Sequence, residues 1–134
     1  MEMTPKYKRV LLKLSGEALA DGADGILNFD FIASVAQTLK KCVEAGVQIG
    51  VIVGAGNIWR GRQGTGMDQC RADYMGMLST VVNSLALQDV FLREGMKARV
   101  MTAVEMNAFA DGVLKYKNSS FGNNVFVTTG NHDT

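Results

Sequence analysis

Lys13, Ser15 and Gly16 stand at the end of a short apolar run, RVLLKLSG, and a second glycine loop, Gly54-Ala55-Gly56-Asn57, ends another apolar run further on. Glycine loops of this kind let backbone N–H groups face phosphate oxygens with no side chain in the way. Lys13 can supply a compact positive charge to a transferring phosphoryl group, and Arg60 and Arg62, just past the second loop, add two guanidinium groups. Together they place three fixed cations near one rim, and the chemistry they suggest is phosphate binding. Neither loop is a P-loop, which needs GxxxxGK[ST]. Neither is a GxGxxG dinucleotide fingerprint, because Gly56 is followed by Asn57, Ile58 and Trp59.

Each of these residues also has a plainer reading. Lys13 can be an edge-strand or snorkelling lysine, and Arg60 a surface ion-pair partner. Trp59 fits a core or interface aromatic better than a base-stacking platform. Asp73, near the start of a long helical segment, either favours the helix dipole or accepts hydrogen bonds from ligand hydroxyls. Asp89, deep in the same segment, reads as structural. His132 is the single histidine and has no carboxylate or nucleophile beside it in sequence, which argues against histidine-based hydrolysis.

The bulk numbers bound the rest. A chain of 134 residues, 47% hydrophobic and 20% charged, fits one domain able to bury a real core. Its 14 basic and 13 acidic residues give a net charge of +1, so neither nucleic acid nor an anionic membrane surface is a partner expected from bulk charge. The N-terminus lacks a signal-peptide pattern and no apolar run approaches ~18 residues, so a cytoplasmic location is expected. Cys42 and Cys70 have neither metal nor redox spacing and read as reduced. With 15 glycines and 1 proline, the chain suits tight strand-to-helix turns.

The elements that must hold these residues follow from hydrophobic spacing. Residues 10–14 read as a strand and 16–28 as a turn-rich loop. A helix follows, with Ile32, Val35, Ala36, Leu39 and Val43 on one face, Asn28 or Asp30 at its start and Gly46 at its end. The β-branched run 47–53 reads as a strand covered on both faces. Residues 71–94 read as a helix buried on more than one side, with Met75, Leu78, Val82 and Leu85 on one stripe and Met77, Val81 and Leu92 off it. Residues 97–103 and 124–128 read as further strands. Alternating strands and helices with short links imply a parallel sheet with helices on its faces, and ligands at the carboxyl ends of its strands.

Three blocks, YKRVLLKLSGEAL (residues 7–19), GVIVGAGNIWRG (50–61) and GMDQCRADYMGMLSTVVNSLALQD (66–89), resemble in this order the bacterial uridylate kinases of the amino-acid kinase superfamily. The resemblance runs over residues 7–111. KLSGEAL points to the superfamily; DYMGML and NSLALQD point to the UMP enzymes rather than to carboxylate or carbamate kinases. It implies a three-layer αβα sandwich with a mostly parallel sheet, of which residues 1–134 form a single partial domain, the N-terminal, acceptor-side half. It further implies Mg²⁺- and ATP-dependent phosphorylation of UMP to UDP in pyrimidine synthesis.

Carried over by position, the resemblance implies that Lys13, Ser15, Gly16, Gly56 and Arg60 hold ATP, with Lys13 and Arg60 acting on the transferring group. It implies that Gly54, Ala55, Asp73, Thr129, Gly130 and Asn131 hold UMP. No residue is assigned as a metal ligand; Mg²⁺ is expected with ATP. A homohexamer, activation by GTP near the loop DGADGI (21–26) and inhibition by UTP are implied as well.

The sequence departs from the family pattern at three places. Ala55 stands where a glycine is usual, the 21–26 loop is one residue shorter, and the half that binds the ATP base has no counterpart here. Residues 115–124 match nothing in the pattern. The alternatives are a non-catalytic nucleotide-binding or assembly fragment, and a carboxylate or carbamate kinase of the same superfamily.

Overall fold

The computed structural model describes residues 6–21, 25–59, 66–102, 104, 106, 108, 110, 112–113 and 125–129. In chain order they form β1 (Arg9–Leu14), α1 (Gly16–Leu19), α2 (Phe29–Glu44), β2 (Gln48–Val53), α3 (Gln69–Arg93), β3 (Ala98–Thr102), β4 (Gly112–Val113) and β5 (Val125–Thr129). The expected alternation of strand and helix is present. Two short elements were not anticipated: the single turn α1, inside a segment read as loop, and the two-residue β4.

α1 forms because Ser15 caps it, its hydroxyl accepting from Ala18 N–H at 3.2 Å, and because Leu19 is drawn wholly into the core. Asn28, rather than Asp30, caps α2: its Oδ1 accepts from Phe31 N–H at 3.1 Å. Ile32, Ala36 and Leu39 then fall on one buried face. α2 ends where Gly46 takes φ of +95°, a left-handed conformation that a side chain would oppose.

The five strands form one parallel sheet in the order β1-β2-β5-β3-β4. Thus the last strand in sequence is inserted at the centre. Leu14 of β1 pairs with Val53 of β2, and Val53 in turn with Thr129 of β5, so these three strands end on one rim. Ile49, Val51 and Val53 of β2 share a core with Val125 and Val127 of β5, Ala98 and Val100 of β3, and the inner faces of α2 and α3. Alternation along the strands places Arg9, Leu11 and Lys13 on the opposite face, where all three are exposed.

α3 departs from the sequence reading. The stripe Met75, Leu78 and Val82 faces outward, with Leu78 49% and Val82 46% exposed. The buried face is instead Ala72, Gly76, Ser79, Thr80, Val81, Asn83, Ser84, Leu87, Val90 and Phe91. Small residues let the helix lie close to its neighbours, and their hydroxyls do not need partners elsewhere. Ser79 donates to Met75 C=O at 2.7 Å, Thr80 to Met77 C=O at 2.6 Å and Ser84 to Thr80 C=O at 2.7 Å. By length and composition α3 could also cross a bilayer, although it holds no uninterrupted apolar run of ~18 residues. Its satisfied hydroxyls and its share in the sheet core are those of a core helix. Asp89 is not buried: it pairs on the surface with Arg93 at 3.0 Å.

Candidate functional site

The two glycine loops leave adjacent parallel strands at the same end and meet there. Gly54 N–H donates to Leu14 C=O at 3.0 Å, extending the β1–β2 ladder one residue past the strands. Beyond it, Ile58 N–H and Trp59 N–H both donate to Ala55 C=O, at 2.9 and 3.0 Å, folding residues 55–59 into a tight turn. Gly16 lies directly against this turn. A Cβ on Gly16 would run into Gly56 N and come within 2.8 Å of both Ala55 C and Asn57 Oδ1. Only a residue without a side chain allows the two backbones to approach this closely.

On the other side, a Cβ on Gly56 would fall on the Glu17 carboxylate. Glu17, in the first turn of α1, therefore lies at the mouth of the second loop. Lys13 is exposed two residues before Ser15 and pairs in register with Ile52. Lys13, Ser15, Gly16, Gly54, Ala55 and Gly56 are thus gathered at the carboxyl end of two neighbouring strands, where ligands of open parallel sheets bind. Ala55 is 4% exposed, so its methyl group is packed within the protein rather than on the loop's surface. The backbone of Thr129 ends β5 on the same rim, opposite Val53.

Asp73 lies in the first turns of α3, half-buried, and its Oδ1 accepts from Gln69 Nε2 at 2.6 Å. Trp59 ties the loop to this part of α3, its Nε1–H donating to Ala72 C=O at 3.1 Å. The indole thus packs the loop against the helix, in keeping with its structural reading. Asp68 caps α3 through Arg71 N–H at 3.2 Å. One turn on, the side-chain hydrogen bond with Cys70 holds the Tyr74 phenol above its ordinary pKa. Both cysteines are free. Arg60, Arg62, Gly130, Asn131, His132, part of the 21–26 loop and residues 115–124 lie outside the described residues.

The structure adds a pair of residues that the motif reading passed over. Asn83, fully buried on α3, donates from Nδ2 to Gly54 C=O and to Asn57 Oδ1, both at 2.8 Å. Asn57 returns a bond from its Nδ2 to Asn83 Oδ1 at 3.0 Å and gives another to Ile26 C=O at 2.7 Å. A signal was present in the sequence, since Asn83 shares a helix face with Thr80, Leu87 and Val90, and a buried carboxamide must find partners. The partner could not be read, because 26 positions separate it from Asn57.

The amino acid kinase family profile matches residues 8–132. Two solved structures are similar. A UMP kinase from Ureaplasma parvum superposes with a TM-score of 0.82 at 26% identity, over 92% of this chain and 56% of that one. A UMP kinase from Bacillus anthracis superposes with a TM-score of 0.82 at 35% identity, over 93% of this chain and 53% of that one. The chain therefore spans about half the length of either structure. Since the family match takes in both glycine loops and all five strands, the chain belongs to the amino acid kinase family.

Proposed function

We propose that this chain carries the phosphate-handling half of a nucleoside monophosphate kinase that transfers the γ-phosphoryl group of ATP to UMP. The observation that carries the reading is the contact of Gly16 with the Gly56 backbone beside an exposed Lys13. Two backbone loops meet at the end of the strand that carries Lys13, and this rim is read as the place where a phosphoryl group passes between donor and acceptor. The 35% identity to a UMP kinase supports UMP as the acceptor.

Phosphoryl transfer asks little covalent work of a protein, so the residues act by holding and neutralising. Ser15, Gly16 and Gly56 bind donor phosphates, and Lys13 offsets charge on the equatorial oxygens of the group in flight. Gly54 and Ala55 line the acceptor phosphate, with Thr129 beside them, and Asp73 accepts from the acceptor ribose. Arg60, Gly130 and Asn131 are assigned to the same phosphates by their place in the motif alone. Mg²⁺ would arrive with ATP and neutralise its phosphates. Among the described residues no group of three His, Cys, Asp or Glu side chains is placed to hold a metal, and no step is assigned to the ion.

A second reading is a nucleotide-binding or assembly unit without turnover. ADP release measured with UMP, with CMP and without acceptor tests the first reading, together with calorimetric titration of ATP and of UMP. Turnover preferring UMP supports kinase activity. Binding without ADP release supports the second reading, and binding of neither nucleotide overturns both.

A further inference from the structure

We infer that Asn83 is the positioning residue of the Gly54–Asn57 loop, fixing from inside the protein the backbone that faces the phosphates. The inference rests on the reading of that loop as phosphate-binding. Two carboxamides have four N–H hydrogens between them, and here all four are used: two from Asn83, to Gly54 C=O and Asn57 Oδ1, and two from Asn57, to Asn83 Oδ1 and Ile26 C=O. The orientation of each amide is dictated by this arrangement. Turning Asn83 over would set its oxygen against Gly54 C=O, and turning Asn57 over would set its oxygen against Ile26 C=O.

An apolar residue of similar volume at 83 would suit the adjoining core, formed by Leu87, Val90 and Phe91, at least as well. What it could not do is hold Gly54 and Asn57 at once. Gly54 is the last residue on the β-ladder and Asn57 lies within the turn, so Asn83 grips the loop at both ends and leaves Ala55 and Gly56 between two fixed points. Asn57 carries the same linkage outward to Ile26, so the segment before α2 is tied to the phosphate loop through one side chain. Asn83 touches no reacting atom in this scheme; it acts through the loop.

The test compares N83D, N83S and N57D with the unaltered chain, by amide hydrogen exchange without ligand and by ATP affinity. N83D keeps the shape but loses both donors. N57D keeps an acceptor for Asn83 and leaves the Gly54 bond in place. With N83D, exchange at Ile58 and Trp59, whose amides are bonded to Ala55 C=O, is expected to quicken about tenfold, and ATP affinity to fall about tenfold. Amides of β5 and α2 should be unchanged, and N57D should stay within about threefold of the unaltered chain at Gly54. A uniform rise in exchange across β2, β5 and α2, or no change in the loop, overturns the inference. If N83D does not fold, N83S is judged by the same criteria. If the unaltered chain binds no ATP, the phosphate reading falls, whereas the exchange pattern still decides whether Asn83 fixes the loop.

Discussion

Gly16 and Gly56 meet backbone to backbone, so closely that a methyl group on Gly16 would overlap the Gly56 nitrogen. The relationship joins the turn after β1 to the turn after β2, and it is asymmetric. A side chain at Gly16 strikes backbone, which cannot move without displacing the loop. A side chain at Gly56 strikes the end of Glu17, which can swing away.

Gly16→Ala should therefore cost about 1–3 kcal/mol of stability, as overpacking against backbone does, and should also weaken ATP binding. Gly56→Ala should cost less, because only a flexible side chain must yield. Urea denaturation of both variants checks the order. Equal losses would mean that the two loops are not in rigid contact.

Lys13→Met removes the charge and keeps the aliphatic stem. Since Lys13 is exposed on β1, the melting temperature should hardly change. ATP affinity should fall about ten- to a hundredfold, the worth of a charge-assisted contact of about 1.5–3 kcal/mol. Lys13→Arg should recover it only in part, because a planar fork does not replace a compact ammonium. Calorimetry with ATP reads all three proteins.

Four of the five strands and both long helices were legible in the sequence because their periodicity is local: Ile32, Ala36 and Leu39 on α2, and the β-branched run of β2. The rim proposed to hold phosphates was placed on the same local grounds, since Lys13 lies near the end of β1, Ser15 and Gly16 follow β1, and the Gly54–Asn57 loop follows β2. What failed is non-local. The place of β5 between β2 and β3 depends on pairing across the chain, which no period encodes. α3 misled because hydrophobicity was taken to mark the inner face. Close packing favoured Gly76, Ser79, Thr80 and Ser84 there and left Leu78 and Val82 outside. Ser15 was read only as a phosphate ligand, although its hydroxyl is also the cap of α1.

Asn28 serves two elements: it caps α2 through Phe31 N–H, and its Nδ2 donates to Asp21 C=O at 2.6 Å. Asn28→Ala should lower stability by about 1 kcal/mol or somewhat more, since the lost cap is accompanied by a lost tie to the preceding loop. Asn28→Asp keeps the cap and gives up the tie. Thermal unfolding of the two variants should place Asp between Ala and the unaltered chain.

Titration of Tyr74 should respond to Cys70. The hydrogen bond with Cys70 is the largest cause raising the phenol, followed by the charge on the Cys70 thiolate once formed, partial burial and the Asp68 charge. Each disfavours phenolate, so ionisation is postponed to higher pH. Cys70→Ala should return the Tyr74 transition toward the ordinary tyrosine value, read by ultraviolet difference absorbance as pH rises. A transition that stays in place would show that Cys70 is not its partner.

Asp73→Asn separates acceptor from donor. Asn keeps the size of the side chain, and at half-buried Asp73 it removes the charge that makes the carboxylate a strong acceptor for two ribose hydroxyls. Gln69 Nε2 donates to Oδ1 at 2.6 Å, which helps to fix the orientation of the carboxyl group. UMP affinity should fall about tenfold, consistent with the loss of one to two charge-assisted bonds, whereas ATP affinity should stay within about twofold. A Gln69→Ala change, which removes one restraint on the carboxylate, should weaken UMP binding to a smaller degree and in the same direction. Calorimetric titration of each nucleotide decides the matter. An equal loss for ATP and UMP would assign Asp73 to the shared phosphate region rather than to the ribose.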